Sequence, residues 1–285
     1  MKSPRHRPFF KKKRYIFPLI FLLLVGIAIT PFIINPLKSF RTSTTFLLNL
    51  FGVQERIVRH GKYRIHVYEG GQDQEQTVIL LHGFGGNALL TWMQLMPFLV
   101  RDFHVVAPDL LASNFLALSP SRYSIDSEKK VVLAMMDGLG IQQADFVGLS
   151  VGGWVSLLIA LEHPERVRRM VLVESAGITT EVPELAKLTL DDRDKAKRFM
   201  KMLFYWPPPL PDFVLDQLVK TSRRIKPRYE AVFAGFIENS RDRVLDDHLG
   251  EILHPILMMH GRQDQVIPLA VGQKIHEGLP NSEFI

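Results

Sequence analysis

Residues 144–162 read ADFVGLSVGGWVSLLIALE, and this stretch decides the fold. Its first six residues are apolar apart from Asp145, as in a strand buried on both faces, and its last ten carry the apolar density of a buried helix. Between them Gly148-Leu149-Ser150-Val151-Gly152 matches G-x-S-x-G at the handover from strand to helix. A serine hydroxyl is a weak nucleophile unless it is exposed, oriented and set beside a base, and a sharp strand-to-helix turn exposes it. Gly148 and Gly152, with Gly153 behind them, let such a turn pass close to neighbouring backbone. Ser150 is therefore the candidate nucleophile, against the plainer reading of a helix-capping serine.

Working outward, the same alternation repeats. Short apolar runs at 77–81, 103–107, 169–173 and 255–259 are separated by helical patterning, and 55–59 with 63–68 reads as a hairpin turning at His60-Gly61. Continuous apolar strands alternating with helices predict a mostly parallel sheet with helices on both faces, the α/β class, whose chemistry collects at the carboxyl ends of the strands. The run ending at Leu81 is followed by His82-Gly83-Phe84-Gly85-Gly86. A glycine-rich turn there presents backbone N–H groups toward Ser150, with the amides of Phe84 and Val151 as the expected donors to a developing oxyanion. A tight turn without a ligand is the alternative, and His82 is expected to brace the turn rather than act as a base.

The strand rhythm stops between Ala176 and Glu251. Helical patterns at 188–205, 212–224 and 228–239, broken by WPPPLP at 206–211, predict a helical cap inserted over the site. Its aromatic and Met residues, among them Phe199, Met202, Phe204, Tyr205, Trp206, Phe233 and Phe236, either line an acyl pocket or form the cap's own core.

These motifs, in this order, resemble the α/β-hydrolase superfamily, in particular its capped HGFGG-type serine hydrolases: esterases, monoacylglycerol-lipase-like enzymes and carbon–carbon bond hydrolases. The resemblance runs from about Glu55 to Ile285. It implies that the acid follows the strand after the cap, where HGRQDQVIP at 260–268 supplies Asp264, with Glu174 as the reserve. It also implies that a histidine base follows the last strand. Only His276 lies beyond Asp264, in a helical stretch at 269–278, so a base encoded soon after Ile285 is expected. The sequence departs from the family after Asp109, where LLASNFLALSP replaces a glycine-rich turn.

The 285 residues are 47% hydrophobic, and none is cysteine, which removes thiolate nucleophiles, disulfides and Cys-based metal sites. The formal charge of +6 is concentrated in nine Lys and Arg residues before Glu55, leaving about −3 for the rest, so no basic groove for nucleic acid is expected. No metal or organic cofactor is required by the chemistry. From Tyr15 to Leu37 no residue is charged, and IFPLIFLLLVGIAITPFII at 16–34 is long enough to span a bilayer. With Lys11 to Arg14 before it, the expectation is a single-pass membrane protein with a cytoplasmic N-terminus and the catalytic domain on the other side; a cleaved signal is the competing reading. The expected organisation is a basic tail (1–14), an anchor (15–37), a juxtamembrane segment (38–54), core (55–175), cap (176–251) and further core (252–285). The stretch 46–53 is either an interfacial helix or a strap on the domain. The expected activity is hydrolysis of lipophilic esters through an acyl-enzyme on Ser150. Carbon–carbon bond hydrolysis and a non-catalytic binding protein on the same scaffold are the alternatives.

Overall fold

A strand buried on both faces must send alternate side chains to two different cores, and the central strands do so. In β3 (Thr77–Leu81), Ile79 and Leu81 enter one core while Val78 and Leu80 enter the other, all buried. The computed structural model describes residues 35–179 and 190–285. Besides β3 its sheet contains β1 (Gln54–His60), β2 (Tyr63–Gly70), β4 (His104–Pro108), β5 (Ala144–Leu149), β6 (Val167–Val173), β7 (Ile256–Met259) and β8 (Ser282–Phe284). The eight strands lie in the order β1-β2-β4-β3-β5-β6-β7-β8. β1 and β2 form the antiparallel hairpin read from the sequence, β2 is antiparallel to β4, and the remaining pairings are parallel.

The chain divides into two units, 1–43 and 44–285. Helix α1 (Pro36–Leu50) begins in the first, of which residues 35–43 are described. Within the second unit, Leu48 and Val53 are buried with Tyr68 and Met96, so the stretch 46–53 is a strap at these two positions, while Phe46, Leu47, Leu50 and Phe51 stay exposed. The membrane expectation is corrected here. Among the described residues no helix is long and apolar enough to cross a membrane. Pro36 and Leu37, assigned to the span, instead open α1, which has only 15 residues and carries Lys38 and Arg41; a span needs about 20 apolar ones. The rest of the expected anchor, residues 15–34, lies outside the described residues.

Helices α2 (Ala88–Trp92) and α3 (Met96–Leu99) follow β3. Helices α4 (Ile125–Leu139) and α5 (Val151–Glu162) pack against the core that receives Ile79 and Leu81. Between β6 and β7 the described residues contain no strand but two helices, α6 (Arg193–Leu203) and α7 (Asp212–Asn239); α8 (Leu269–Gly278) precedes β8. The break expected near residue 226 is absent, because α7 runs through Pro227 as one helix. Proline removes the one N–H that would bond the carbonyl of Arg223. The helix is held beyond that point from outside: Arg228 donates to Leu118 O, and Asn239 Nδ2 donates to Pro120 O at 2.8 Å and Tyr123 O at 2.9 Å.

The unusual stretch after Asp109 has its own support. Residues Leu111–Ala117 form a 3-10 segment, and the buried carboxylate of Glu128 on α4 accepts hydrogen bonds from Leu111 N (2.7 Å), Ala112 N (2.8 Å) and Tyr123 Oη (2.6 Å). A side-chain carboxylate thus satisfies the backbone donors of this turn. Burial pushes the Glu128 carboxyl up to about 7 despite these donors. A carboxyl raised in the folded state binds more protons there than in the unfolded chain, so its linkage term lowers stability as pH rises from about 4.5 to about 7 and is flat above. Urea unfolding of the wild type and Glu128→Gln at pH 5, 6, 7 and 8 should show the wild type losing stability relative to the variant up to pH 7; a constant difference refutes the raised carboxyl.

Candidate active site

Parallel register aligns the carboxyl ends of the central strands. Leu81 pairs with Gly148, Leu149 with Val173, and Val173 with Met259. The residues that follow these ends, His82, Ser150, Glu174 and His260, therefore share one edge of the sheet.

Ser150 joins β5 to α5 with φ 54 and ψ −116, a conformation that side-chain-bearing residues rarely adopt. Strain of this kind costs on the order of 1–3 kcal/mol and persists only where the surroundings hold it. Here Ser150 N donates to Val173 O at 3.0 Å, and its own carbonyl accepts from Gly153 N, Trp154 N and Ala176 N. The turn is tight enough to need glycine on both sides. A Cβ on Gly152 would lie 2.3 Å from Leu81 O, and one on Gly148 would lie 2.6 Å from the carbonyl carbon and oxygen of Gly152. This closeness brings the turn after β3 against the serine: the Cβ position of Gly83 is 3.3 Å from Ser150 Cβ and 3.8 Å from its Oγ.

That turn is braced as a unit. His82 is fully buried, donates from Nδ1 to Gly83 O at 2.7 Å and accepts Leu110 N at Nε2 at 2.9 Å. These two bonds define a neutral imidazole, and burial holds its pKa down. Both ring nitrogens are thereby committed, one to the turn and one to Leu110. Gly86 N closes the turn on Gly83 O, and Ala88 N, at the start of α2, donates to Asp109 Oδ1 at 2.8 Å. Burial would raise the Asp109 carboxyl, but the hydrogen bonds from His66 and from Ala88 N hold it below the ordinary carboxylate range.

Phe84 is surrounded by rings. Its ring centroid lies 5.0 Å from Phe233, 5.4 Å from Phe236, 5.7 Å from Tyr229 and 6.2 Å from Tyr123. Tyr229, Phe233 and Phe236 come from one face of α7, so that helix lies over the turn. The spacing of four and three residues was the available signal for Tyr229, which the sequence reading did not single out. Of the aromatics considered for an acyl pocket, Phe233 and Phe236 gather here, whereas Tyr205 and Trp206 are exposed.

Beyond β7, Asp264 Oδ1 accepts Val266 N at 2.7 Å and Ile267 N at 3.1 Å. Its Oδ2 is buried without a hydrogen-bond partner among the described residues, 3.6 Å from His260 Nε2. His260 Nε2 donates instead to Ile267 O at 2.8 Å, which ties the loop together. Glu174 is the second described non-glycine residue with a left-handed backbone, φ 46. Burial, together with the nearby Asp264 carboxylate, raises its carboxyl. The other histidines after Ser150 with recorded side-chain bonds point elsewhere: His248 to Glu251, His254 to Pro164 O and His276 to Ser282. Among the described residues no cluster of His, Asp and Glu has the arrangement of a metal site.

Comparison with known proteins bears on this geometry. The family described as the α/β hydrolase fold matches residues 76–218. The chain belongs to that family. A 2-hydroxymuconate semialdehyde hydrolase from Pseudomonas sp. (strain CF600) is 31% identical over 218 residues, which is 73% of this chain and 77% of the relative. Among solved structures, a serine hydrolase from the polyaromatic hydrocarbon-degrading bacterium Cycloclasticus zankles is 27% identical with a TM-score of 0.71, covering 82% of this chain and 89% of the other. A membrane phospholipase A superposes with a TM-score of 0.75 over 95% of this chain and 89% of the other; at 23% identity that likeness concerns the fold alone. The α/β-hydrolase chain described here is accordingly a hydrolase.

The dependence of this hydrolase on its close backbone crossing can be measured. Gly152→Ala should lower unfolding stability by about 1–3 kcal/mol, the usual cost of overpacking. Unchanged stability in urea unfolding would refute the constraint.

Proposed function

We propose that this hydrolase cleaves carboxylic esters with an apolar acyl chain through an acyl-enzyme on Ser150. The observation that carries the reading is the approach of the turn 82–86 to the side chain of Ser150. In this mechanism Ser150 Oγ attacks the ester carbonyl carbon and gives its proton to an imidazole. The amides of Phe84 and Val151 receive the negative charge that develops on the carbonyl oxygen, each worth about 3 kcal/mol in the transition state. The imidazolium then protonates the departing alcohol, and water, deprotonated by the same imidazole, releases the acid.

Asp264 takes the part of the acid. Its unoccupied Oδ2 is a buried acceptor, and an imidazole N–H is the donor that would satisfy it while orienting the base. The reading takes this imidazole from the loop that follows the last strand in the fold, since His82, His260 and His276 are engaged elsewhere. The ring cluster around Phe84 suits an apolar acyl group.

A second reading, carbon–carbon bond hydrolysis, rests on the relative at 31% identity, whose name describes a hydrolase of 2-hydroxymuconate semialdehyde. Both readings use the same serine, so substrate preference separates them. With p-nitrophenyl butyrate and a 2-hydroxy-6-oxo-2,4-dienoate compared on one preparation, the ester reading expects kcat/KM at least about tenfold higher for the ester; the reverse order establishes carbon–carbon hydrolysis. Ser150→Ala should lower ester turnover by on the order of 10³ to 10⁶ and eliminate fluorophosphonate labelling. Wild-type turnover in that variant would remove Ser150 from the mechanism.

A further inference from the structure

The site leaves one group of aromatic residues unused. Between α6 and α7 the chain runs Leu203-Phe204-Tyr205-Trp206 into three consecutive prolines. All four apolar residues are exposed, Trp206 by 84%, and Phe213 at the start of α7 is exposed as well. Large apolar side chains standing together in water mark a contact surface. Tyr and Trp combine an apolar ring with a polar edge, which suits them to the boundary between water and lipid.

The charge beside this tip selects the partner. Helix α6 carries five cations, Arg193, Lys195, Lys197, Arg198 and Lys201, against one acid, Asp194. Arg193 is paired with Asp212 and Asp216, and Lys195 with Asp191. Lys197, Arg198 and Lys201 are exposed, and among the described residues none of them has an ion-pair partner. Three unneutralised cations next to an exposed aromatic tip complement an anionic surface that also has an apolar interior. We propose that the tip 203–206, with Lys197, Arg198 and Lys201, docks on an anionic phospholipid surface, inserting its rings among the headgroups without spanning the bilayer. The inference does not rest on the ester reading, and its test does not use turnover.

The three tryptophans make the test selective, because Trp92 and Trp154 are each only 7% exposed and the third is Trp206. The full chain is mixed with vesicles of phosphatidylcholine alone or with one third phosphatidylglycerol, each with and without brominated acyl chains. The difference in emission between wild type and Trp206→Phe isolates Trp206, and far-UV circular dichroism checks that each variant is folded. The proposal expects brominated lipid to quench most of the Trp206 emission in the phosphatidylglycerol vesicles. In phosphatidylcholine alone, and in K197E/R198E/K201E, most of that quenching is lost. Absence of Trp206 quenching in both vesicles overturns the docking. Equal quenching in both, or full quenching in the charge-reversed variant, overturns the anionic assignment. A Trp206 blue shift that follows protein concentration at fixed lipid identifies a second copy as the occupant and also overturns the proposal.

Discussion

Everything at the carboxyl edge of the sheet depends on two backbones passing within contact of each other. The start of α5 lies so close to the end of β3 that a single carbon at position 152 would overlap the Leu81 carbonyl. This crossing sets the strained serine beside the turn 82–86, and the hydrogen bonds from Ser150 N to Val173 O and from Ala176 N to Ser150 O hold it there. The strain is local and the support is distributed over three strands, so the surroundings hold the conformation.

Support reaches the same turn from further out. His82 links it to Leu110, Asp109 links the start of α2 to His66, and Glu128 fixes the segment after Asp109. Each is a buried or half-buried polar group whose partners are backbone amides or a charged neighbour. Removing one member would leave its neighbours short of a hydrogen-bond partner. The apolar rings of Phe84, Tyr123 and Phe236 pack along this polar chain and connect it to α7.

The strands and the serine turn were legible in the sequence for a physical reason. A strand covered on both faces is a plain run of apolar residues, and a strand-to-helix turn that crosses another backbone requires glycine at fixed offsets. Glu128 was not legible, because a glutamate in IDSEKK reads as the solvated side of an amphipathic helix; only the folded 3-10 segment buries it. The patterns at 212–224 and 228–239 were read as separate because helix propensity is local, whereas the bonds from Arg228 and Asn239 that hold the single helix reach residues more than a hundred positions away. The expected membrane span was read from hydropathy of one segment, and its last residues belong to a short charged helix instead. The exposed position of Tyr205 and Trp206 was equally invisible, since composition does not say which way a ring faces.

Helix α7 is fastened to different parts of the protein along its length. Gly235 sits so close to the 118–123 loop that a Cβ there would be 2.1 Å from Pro120 O, and Arg228 and Asn239 bond the same loop. The half of the helix after Pro227 is thus bolted to the core, and it carries the rings above Phe84. The half before it faces solvent on several turns and is joined by a residue that lacks an internal hydrogen bond. That front half is nonetheless anchored, because Leu215 and Val219 are buried with Ala196 of α6, so one continuous helix belongs to two hydrophobic cores.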